Sequence, residues 1–552
     1  MKARPFIYVL LGLLAALYSI GIFWGMPSEF SPEIDADVPF GVLSYFSGIH
    51  DVHRAVKYPA FHKITLLPFY GAYFLYAKIT GNFGHLSSTW PFGFKNPLVA
   101  TTALIVMTRI VNLIMGIGTL WCLFILLLKE SKSIFGSSAC LLLFGLSGAF
   151  TYYVKATNYD GPQLLWWSLS LLFLWNYLFD KDQSVKNLWL SGIFIGIATA
   201  TKDQNFVFAL SSGLTILFFG PENPDRSKVK DAALYGVNAF AVYAFAAIAC
   251  NPALWVWHVK YLLSSDGIYD FTKFAEFSNT LDGQAGLFCR FVKILSDLCS
   301  LPGCILAGIA LVYLARAKNF KKLFAIVLPL ICFYFIVVYR NRFVHERYVL
   351  NAGFLLMVPA CLGILYCTGA LQRRLSRANA VVIITALTLC IVCQLVFGFI
   401  PVTYAQAFDV KNRLATELPR FVPKGSVIEW QGSILELPNS DSYMSYNLAI
   451  PEGEKEYYPT NRIDHVFNRK SDSSRYVLSS HDLFKKYERQ QLIEKWFSPD
   501  WVDKRNLKLL WCIQNPRWIE DNIRVYQSAQ AARTFLVSHQ FYLYIRLPSN
   551  AY

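Results

Sequence analysis

Between residues 5 and 400 the chain passes through one apolar run after another, each close to the ~20 residues a helix needs to cross a bilayer. Charge thins out over the same stretch. The first 400 residues carry 31 Lys+Arg and 19 Asp+Glu, whereas the last 152 carry 20 and 17. Roughly one residue in eight is charged in the first part, against about one in four in ordinary soluble domains. The sequence therefore predicts a polytopic α-helical membrane domain, residues 1–400, followed by a soluble α/β domain, residues 401–552. Intrinsic disorder, a secreted disulfide scaffold and a wholly soluble enzyme are excluded.

The net charge of +15 resides mostly in the membrane part, as loop charge, and the soluble part has no basic stripe with interleaved aromatics. Nucleic acid is therefore not an expected partner. Eleven of the twelve cysteines precede residue 400, and most sit in apolar runs, where a thiol packs as a small hydrophobe. Cys390-Ile-Val-Cys393 lies inside such a run, so neither a disulfide framework nor a CxxC metal site is expected. The chain has no P-loop, GxGxxG motif or internal repeat.

Spans are expected near 5–25, 98–128, 133–152, 162–180, 187–202, 204–220, 231–250, 294–315, 322–339, 348–371 and 378–400, about eleven in all. The first follows Met1-Lys-Ala-Arg4 without a small-residue cleavage site, which reads as an uncleaved span with a cytoplasmic N-terminus. The segment from His62 to Thr80 is apolar enough to cross but carries Lys63, Pro68 and Lys78. If it lies in the interface, the basic loops at 129–132, 226–230, 316–322 and 373–377 all face the cytoplasm, as the positive-inside tendency asks. That arrangement gives one extracytoplasmic face to a first external loop at 26–97 with interfacial helices, to a loop at 251–293, to short loops near 153–161 and 340–347, and to the C-terminal domain. The same face keeps basic residues that the tendency does not explain, including Lys57, Lys155, Lys202, Arg342 and Arg347. In the C-terminal part an amphipathic helix is expected at 405–420, strands at 426–430, 475–478 and 541–545, and a helical pattern at 482–496.

Several residues on the expected external face could carry chemistry. Asp35 and Asp37 alternate with Glu33 just beyond the first span, so on an extended segment they point one way and could take a proton, hold a cation or bind a sugar. A solvated acidic loop is the plainer reading, and metal dependence stays open. Lys57-Tyr58-Pro-Ala-Phe-His62 fits either an interface anchor or a fixed cation for a lipid phosphate. Asp160 precedes a span at Pro162, either as a helix-dipole partner or as a second acid. Arg109 lies within an apolar span, where a charge must snorkel or face a polar cavity. Lys202 occupies a hairpin between spans, and His345-Glu-Arg347-Tyr places both charge signs at a membrane boundary, as a local ion pair or a binding site. His50-Asp-Val-His53 is a weak metal signal, better read as two solvated histidines.

Taken in order, these features resemble the membrane glycosyltransferases of the GT-C superfamily, in particular the bacterial branch related to protein O-mannosyltransferases and the lipid A aminoarabinose transferase. Asp35-Ala-Asp37 matches the acidic motif after the first span, and Lys57-Tyr-Pro59 the segment leading into an interfacial helix. Arg109, Thr157-Asn-Tyr-Asp-Gly-Pro162 and Gly196-Ile-Ala-Thr-Ala-Thr-Lys202 match the arginine, second-loop and hairpin motifs that follow. The resemblance covers most of residues 1–400; Val38 stands where many relatives carry Glu, and Ala60 replaces a second proline.

The resemblance implies a glycosyltransferase, hexosyl or pentosyl, that moves a sugar from a polyprenyl-phosphate-linked donor to a protein, lipid or glycan acceptor outside a bacterial inner membrane. It implies catalytic roles for Asp37, Asp35 and Asp160, and phosphate binding by Lys57, Arg109 and Lys202. Substrate contacts are expected from Tyr58, His62, His345 and Arg347, and a divalent metal, if used, would sit on Asp35 and Asp37. The alternative from another class is a lipid or solute transporter, which would place charges and broken helices near the bilayer midplane.

Overall fold

The computed structural model describes residues 3–26, 42–43, 61–85, 87, 92–180, 183–221, 227–250, 275, 277–374 and 377–423, five strand segments between 427 and 546, and Trp518. Asp35, Asp37, Lys57, Tyr58, His50, His53, the loop 251–274 and the helical pattern at 482–496 lie outside the described residues. The chain forms two compact units, residues 1–22 with 35–400 and residues 23–34 with 401–552.

The first unit is helical. Its elements are α1 (Ala3–Ser19), α2 (Phe61–Ile79), α3 (Pro97–Ser131), α4 (Ile134–Gly145), α5 (Gly148–Tyr153), α6 (Asp160–Phe179) and α7 (Val185–Thr201), then α8 (Phe206–Phe219), α9 (Lys228–Cys250), α10 (Leu281–Cys299), α11 (Leu301–Arg316), α12 (Phe320–Phe333), α13 (Glu346–Arg374) and α14 (Arg377–Cys393). Among the described residues, four helices are long and apolar enough to cross a membrane: Pro97–Ser131, Phe320–Tyr339, Glu346–Cys367 and Ile384–Ala407. Ala3–Ser19, Ile134–Gly145 and Val185–Thr201 are apolar but shorter.

Two of the expected spans are broken. The run at 133–152 is α4 and α5, separated at Leu146 and Ser147, where the Ser147 hydroxyl accepts from Phe150 N at 3.4 Å and starts a new helix. The run at 294–315 crosses a 104° bend between α10 and α11. Ser300 makes the corner with φ +62°, and its hydroxyl accepts from Gly303 N at 3.2 Å. Before the corner α10 is amphipathic, burying Leu287, Phe291, Ile294 and Leu298 while Asp282 and Lys293 are exposed.

α3 organises the unit. At 1.5 Å per residue its 35 residues extend about 50 Å, well beyond a ~30 Å hydrocarbon layer. α4 and α5 return the chain along it, so that α6 runs parallel to α3: Asn112 meets the start of α6, and Glu130 meets Trp175 near its end. α7 returns beside α6 and packs on α9 through Gly192 and Gly196, one turn apart. A Cβ on Gly196 would lie 2.6 Å from the Ala239 carbonyl oxygen, so this close crossing needs the glycine.

The charges therefore gather at two ends. At one, Glu130 accepts from Trp175 Nε1 (2.6 Å) and Lys322 Nζ (2.5 Å), Lys129 pairs with Asp180 at 2.7 Å, and Lys321 donates to the Leu178 carbonyl. At the other lie Arg109, Lys155, Asp160, Lys202 and the start of α13.

The second unit holds α15 (Ile400–Ala407), α16 (Val410–Phe421) and the strands β1 (Val427–Gln431), β2 (Met444–Asn447), β3 (Tyr476–Ser480), β4 (Leu507–Ile513) and β5 (Phe541–Arg546). The sheet order is β2-β1-β3-β5-β4; β1 is parallel to β2 and β3, and β5 is antiparallel to β3 and β4. The helix expected at 405–420 is interrupted at Asp409, which is buried and accepts from Gly25 N at 2.5 Å.

Candidate active site

The site grows from the loop between α5 and α6. Asn112, one turn after Arg109 on α3, donates from Nδ2 to the carbonyls of Ala156 (2.6 Å) and Asn158 (3.2 Å) and so fixes the loop against α3. Gly116, a further turn along, has no room for a side chain beside Val154. Asn158 in turn accepts from the Asp160 amide at 3.1 Å and sets the first turn of α6.

Two cations are wholly buried there, Arg109 and Lys155. Arg109 Nη1 donates to the Ile22 carbonyl at 2.7 Å and Lys155 Nζ to the Ile20 carbonyl at 3.3 Å. Both carbonyls follow the end of α1, where the helix dipole is negative and favours positive charge. Lys155 also lies 6.0 Å from the centroid of the Phe399 ring. Burial, with the nearby Arg109 charge, pushes the Lys155 amine down to about 7. His62, near the start of α2, is buried with its ring 6.0 Å from that of Tyr159 and flanks the same loop.

Asp160 is buried at the first residue of α6 and ion-pairs with Lys202, which ends α7. Lys202 Nζ stands 4.7 Å from the Tyr348 ring centroid, and the Arg347 guanidinium 4.9 Å from it. Arg347 Nη2 donates to the Tyr348 hydroxyl at 3.0 Å. His345 Nδ1 is 3.0 Å from a Glu346 carboxylate oxygen. Beneath this layer Gln163 donates to Asn351 Oδ1 (2.8 Å), Asn351 to Asn205 Oδ1 (3.3 Å), and Asn205 to the Lys202 carbonyl (3.0 Å). This chain of amides ties α6, the α7–α8 hairpin and α13 together below the charged groups.

Of the residues expected from the sequence, Asp160, Lys202, His345 and Arg347 converge, and Arg109 and His62 border the same loop. Asp160 and Lys202, expected in separate roles as acid and phosphate cation, hold each other. Asp35, Asp37, Lys57 and Tyr58 are outside the described residues. Among the described residues no group of three His, Cys, Asp or Glu side chains could hold a metal ion.

The sequence leaves Lys155 among the unexplained external basic residues without a role of its own, and gives no sign that Gln163, Asn205 and Asn351 meet. Amides inside apolar helices are the signal that could have found the network, because a polar group in a span needs a partner.

Residues 99–254 match the family described as dolichyl-phosphate-mannose-protein mannosyltransferase. The matched segment runs from the start of α3 past the end of α9 and contains Arg109, Lys155, Asp160 and Lys202. No curated protein matches the chain. Among solved structures, ArnT from Cupriavidus metallidurans bound to undecaprenyl phosphate is 11% identical with a TM-score of 0.43, covering 97% of this chain and 98% of that one. The Archaeoglobus fulgidus oligosaccharyltransferase AglB, in complex with an inhibitory peptide and a dolichol-phosphate, is 11% identical at 0.46, covering 98% and 88%. The S. cerevisiae protein O-mannosyltransferase Pmt1-Pmt2 complex bound to the sugar donor is 16% identical at 0.32, covering 47% of this chain and 34% of that chain, about a third of its length. These likenesses are distant. Over residues 99–254 the chain is similar to the dolichyl-phosphate-mannose-protein mannosyltransferase family.

Proposed function

We propose that the protein transfers a sugar from a polyprenyl-phosphate-linked donor to a hydroxyl of a protein, lipid or glycan acceptor on the extracytoplasmic side of a bacterial inner membrane. The observation that carries this reading is the gathering of buried cations, Arg109 and Lys155, beside the Asp160–Lys202 pair, within the family-matched segment and at the end away from the basic loops. Such cations at the edge of the apolar layer suit a departing lipid phosphate. The anomeric carbon–oxygen bond to phosphate breaks as the acceptor oxygen bonds to that carbon. The acceptor proton passes to a carboxylate, which we assign to Asp37 with Asp35 secondary, and polyprenyl phosphate leaves among Lys57, Arg109 and Lys202. Asp160 shapes the site by holding Lys202, and Tyr58, His62, His345 and Arg347 contact substrate.

Binding of undecaprenyl phosphate, the sugar-free leaving group, tests the cation assignment. Lys57→Met and Arg109→Gln should each weaken binding ~10-fold or more, as for a charge-assisted hydrogen bond. Lys155 is expected to add to affinity below pH about 7, where its amine is charged. The lipid phosphate itself gains a proton as pH falls, so the informative quantity is the wild-type pH profile minus that of Lys155→Met. The difference should favour wild type at low pH and vanish above neutrality; identical profiles would remove Lys155 from the site.

The same proposal orients the chain with about eleven crossings, the N-terminus and the Lys132 end in the cytoplasm, and the α10 end and residues 401–552 outside. In a cysteine-free background, Lys132→Cys should be protected from an impermeant thiol reagent in intact cells, while Thr280→Cys should react. Both positions are exposed in the fold, so the opposite pattern would invert the topology.

A further inference from the structure

We propose that His345 and Glu346 form a recognition pair in which Glu346 fixes the imidazole so that Nε2 accepts a hydrogen bond from a hydroxyl of the transferred sugar; this rests on the glycosyl-transfer reading above. His345 directly precedes α13, and Glu346 is its first residue. The two side chains are buried, with Nδ1 3.0 Å from the Glu346 carboxylate. A lone pair on Nδ1 facing a carboxylate at that distance would be repelled, so Nδ1 carries the proton and donates it to Glu346. The Arg347 N–H also points at Nδ1 and the Tyr153 hydroxyl approaches it, but both lie at 3.4 Å and are weaker than the carboxylate contact at 3.0 Å.

In the neutral ring this leaves the other nitrogen as an acceptor. Nε2 is buried and has no hydrogen-bond partner among the described residues. A buried polar atom without a partner is costly to keep, and in a binding site the ligand is what satisfies it. Its neighbourhood suits a sugar joined to a phosphate. Asp160 lies within electrostatic reach of His345, and Lys202, paired to Asp160, rests over Tyr348 three residues further on. Lys202 and Arg347 can serve the anionic part of the donor, whereas a nitrogen lone pair repels phosphate oxygens and takes only a donor such as a hydroxyl. Nε2 therefore reads the sugar and not the phosphate, and Glu346 acts through it as a positioning residue.

Two measurements on the full-length protein in nanodiscs test this. The first is nitrogen NMR of the ¹⁵N-histidine-labelled protein, with the His345 signal identified by its loss in His345→Gln. The wild type should show protonated Nδ1 and bare Nε2, and Glu346→Gln should relax that preference. A wild-type ring protonated on Nε2, whether Nδ1 is bare or also protonated, would overturn the proposal, whatever the activity. The second compares undecaprenyl phosphate with undecaprenyl-phosphate-linked mannose, glucose, galactosamine and aminoarabinose, using whichever sugar lipid the wild type binds more tightly than the bare phosphate. Glu346→Gln and His345→Phe should weaken that sugar lipid ~10- to 100-fold and leave undecaprenyl phosphate within about twofold, the loss expected for one buried hydrogen bond. Equal weakening of both lipids would assign the pair to folding or phosphate binding and overturn the proposal. Should His345→Phe fail to fold, Glu346→Gln decides alone. A wild type that prefers no sugar lipid over undecaprenyl phosphate would instead remove the glycosyl-transfer reading, leaving the NMR result on the pair itself intact.

Discussion

Asp160→Ala is expected to destabilise the protein by ~3–5 kcal/mol, the usual consequence of stripping one partner from a buried ion pair. Both side chains are almost fully enclosed, 3% exposed for Asp160 and 8% for Lys202, so water cannot take over from the lost partner. Lys202→Met should cost about as much, since it strands the carboxylate instead. The double variant Asp160→Ala with Lys202→Met removes both charges and should lose far less than the sum of the single changes. Had Asp160 served only as a dipole partner at the start of α6, its removal would cost about 0.3–1 kcal/mol, and the two effects would add. Denaturation of the four proteins in one detergent separates these outcomes.

Asp37→Asn is expected to lower turnover by ~10²- to 10⁴-fold, the range for loss of a general base, with folding unchanged. Asparagine keeps the size and much of the hydrogen bonding and removes only the basic carboxylate. The proposed function gives Asp37, which directly precedes Val38-Pro39, the role of base and Asp35 a secondary one. Asp160→Asn should reduce turnover as well, but together with stability, because its first duty is to Lys202. Near-normal turnover of Asp37→Asn with collapse of Asp35→Asn would transfer the role to Asp35.

Helix positions were legible where apolar runs had polar ends. The expected 162–180 and 187–202 are α6 at Asp160–Phe179 and α7 at Val185–Thr201. Breaks inside apolar runs were not read, although their signals were present. Ser300-Leu-Pro302 places a capping hydroxyl and a first-turn proline inside an otherwise continuous run, which is a helix start. Ser147 supplies a capping hydroxyl between α4 and α5 as well, without a proline. In the second unit β1, β3 and β5 coincide with the alternating segments expected near 426–430, 475–478 and 541–545. Met444–Asn447 is too short and polar to show a period of two, and Leu507–Ile513 ends in five apolar residues in a row, which do not alternate.

For the site, sidedness was legible and pairing was not. Residues 155, 160, 202 and 345–347 share one end because intervening helices alternate in direction, which hydropathy encodes. That Lys202 would meet Asp160 depends on side-chain packing that no linear spacing records, whereas the contact of His345 with Glu346 is the local pair that the sequence already offered. The burial of Lys155 follows from Asn112 drawing the loop onto α3, a contact across 44 residues.

The central claim, that a sugar leaves a polyprenyl phosphate for an acceptor at this site, is tested most directly by following the lipid product. Purified protein in nanodiscs would be given radiolabelled polyprenyl-phosphate sugars and a membrane extract as the acceptor source, and released polyprenyl phosphate quantified with and without the extract. Release that requires the acceptor, with label appearing in the acceptor and both lost in Asp37→Asn, is the predicted result. Intact sugar lipid carried across the bilayer of sealed vesicles, with no polyprenyl phosphate formed under any acceptor, would contradict it and make the protein a transporter.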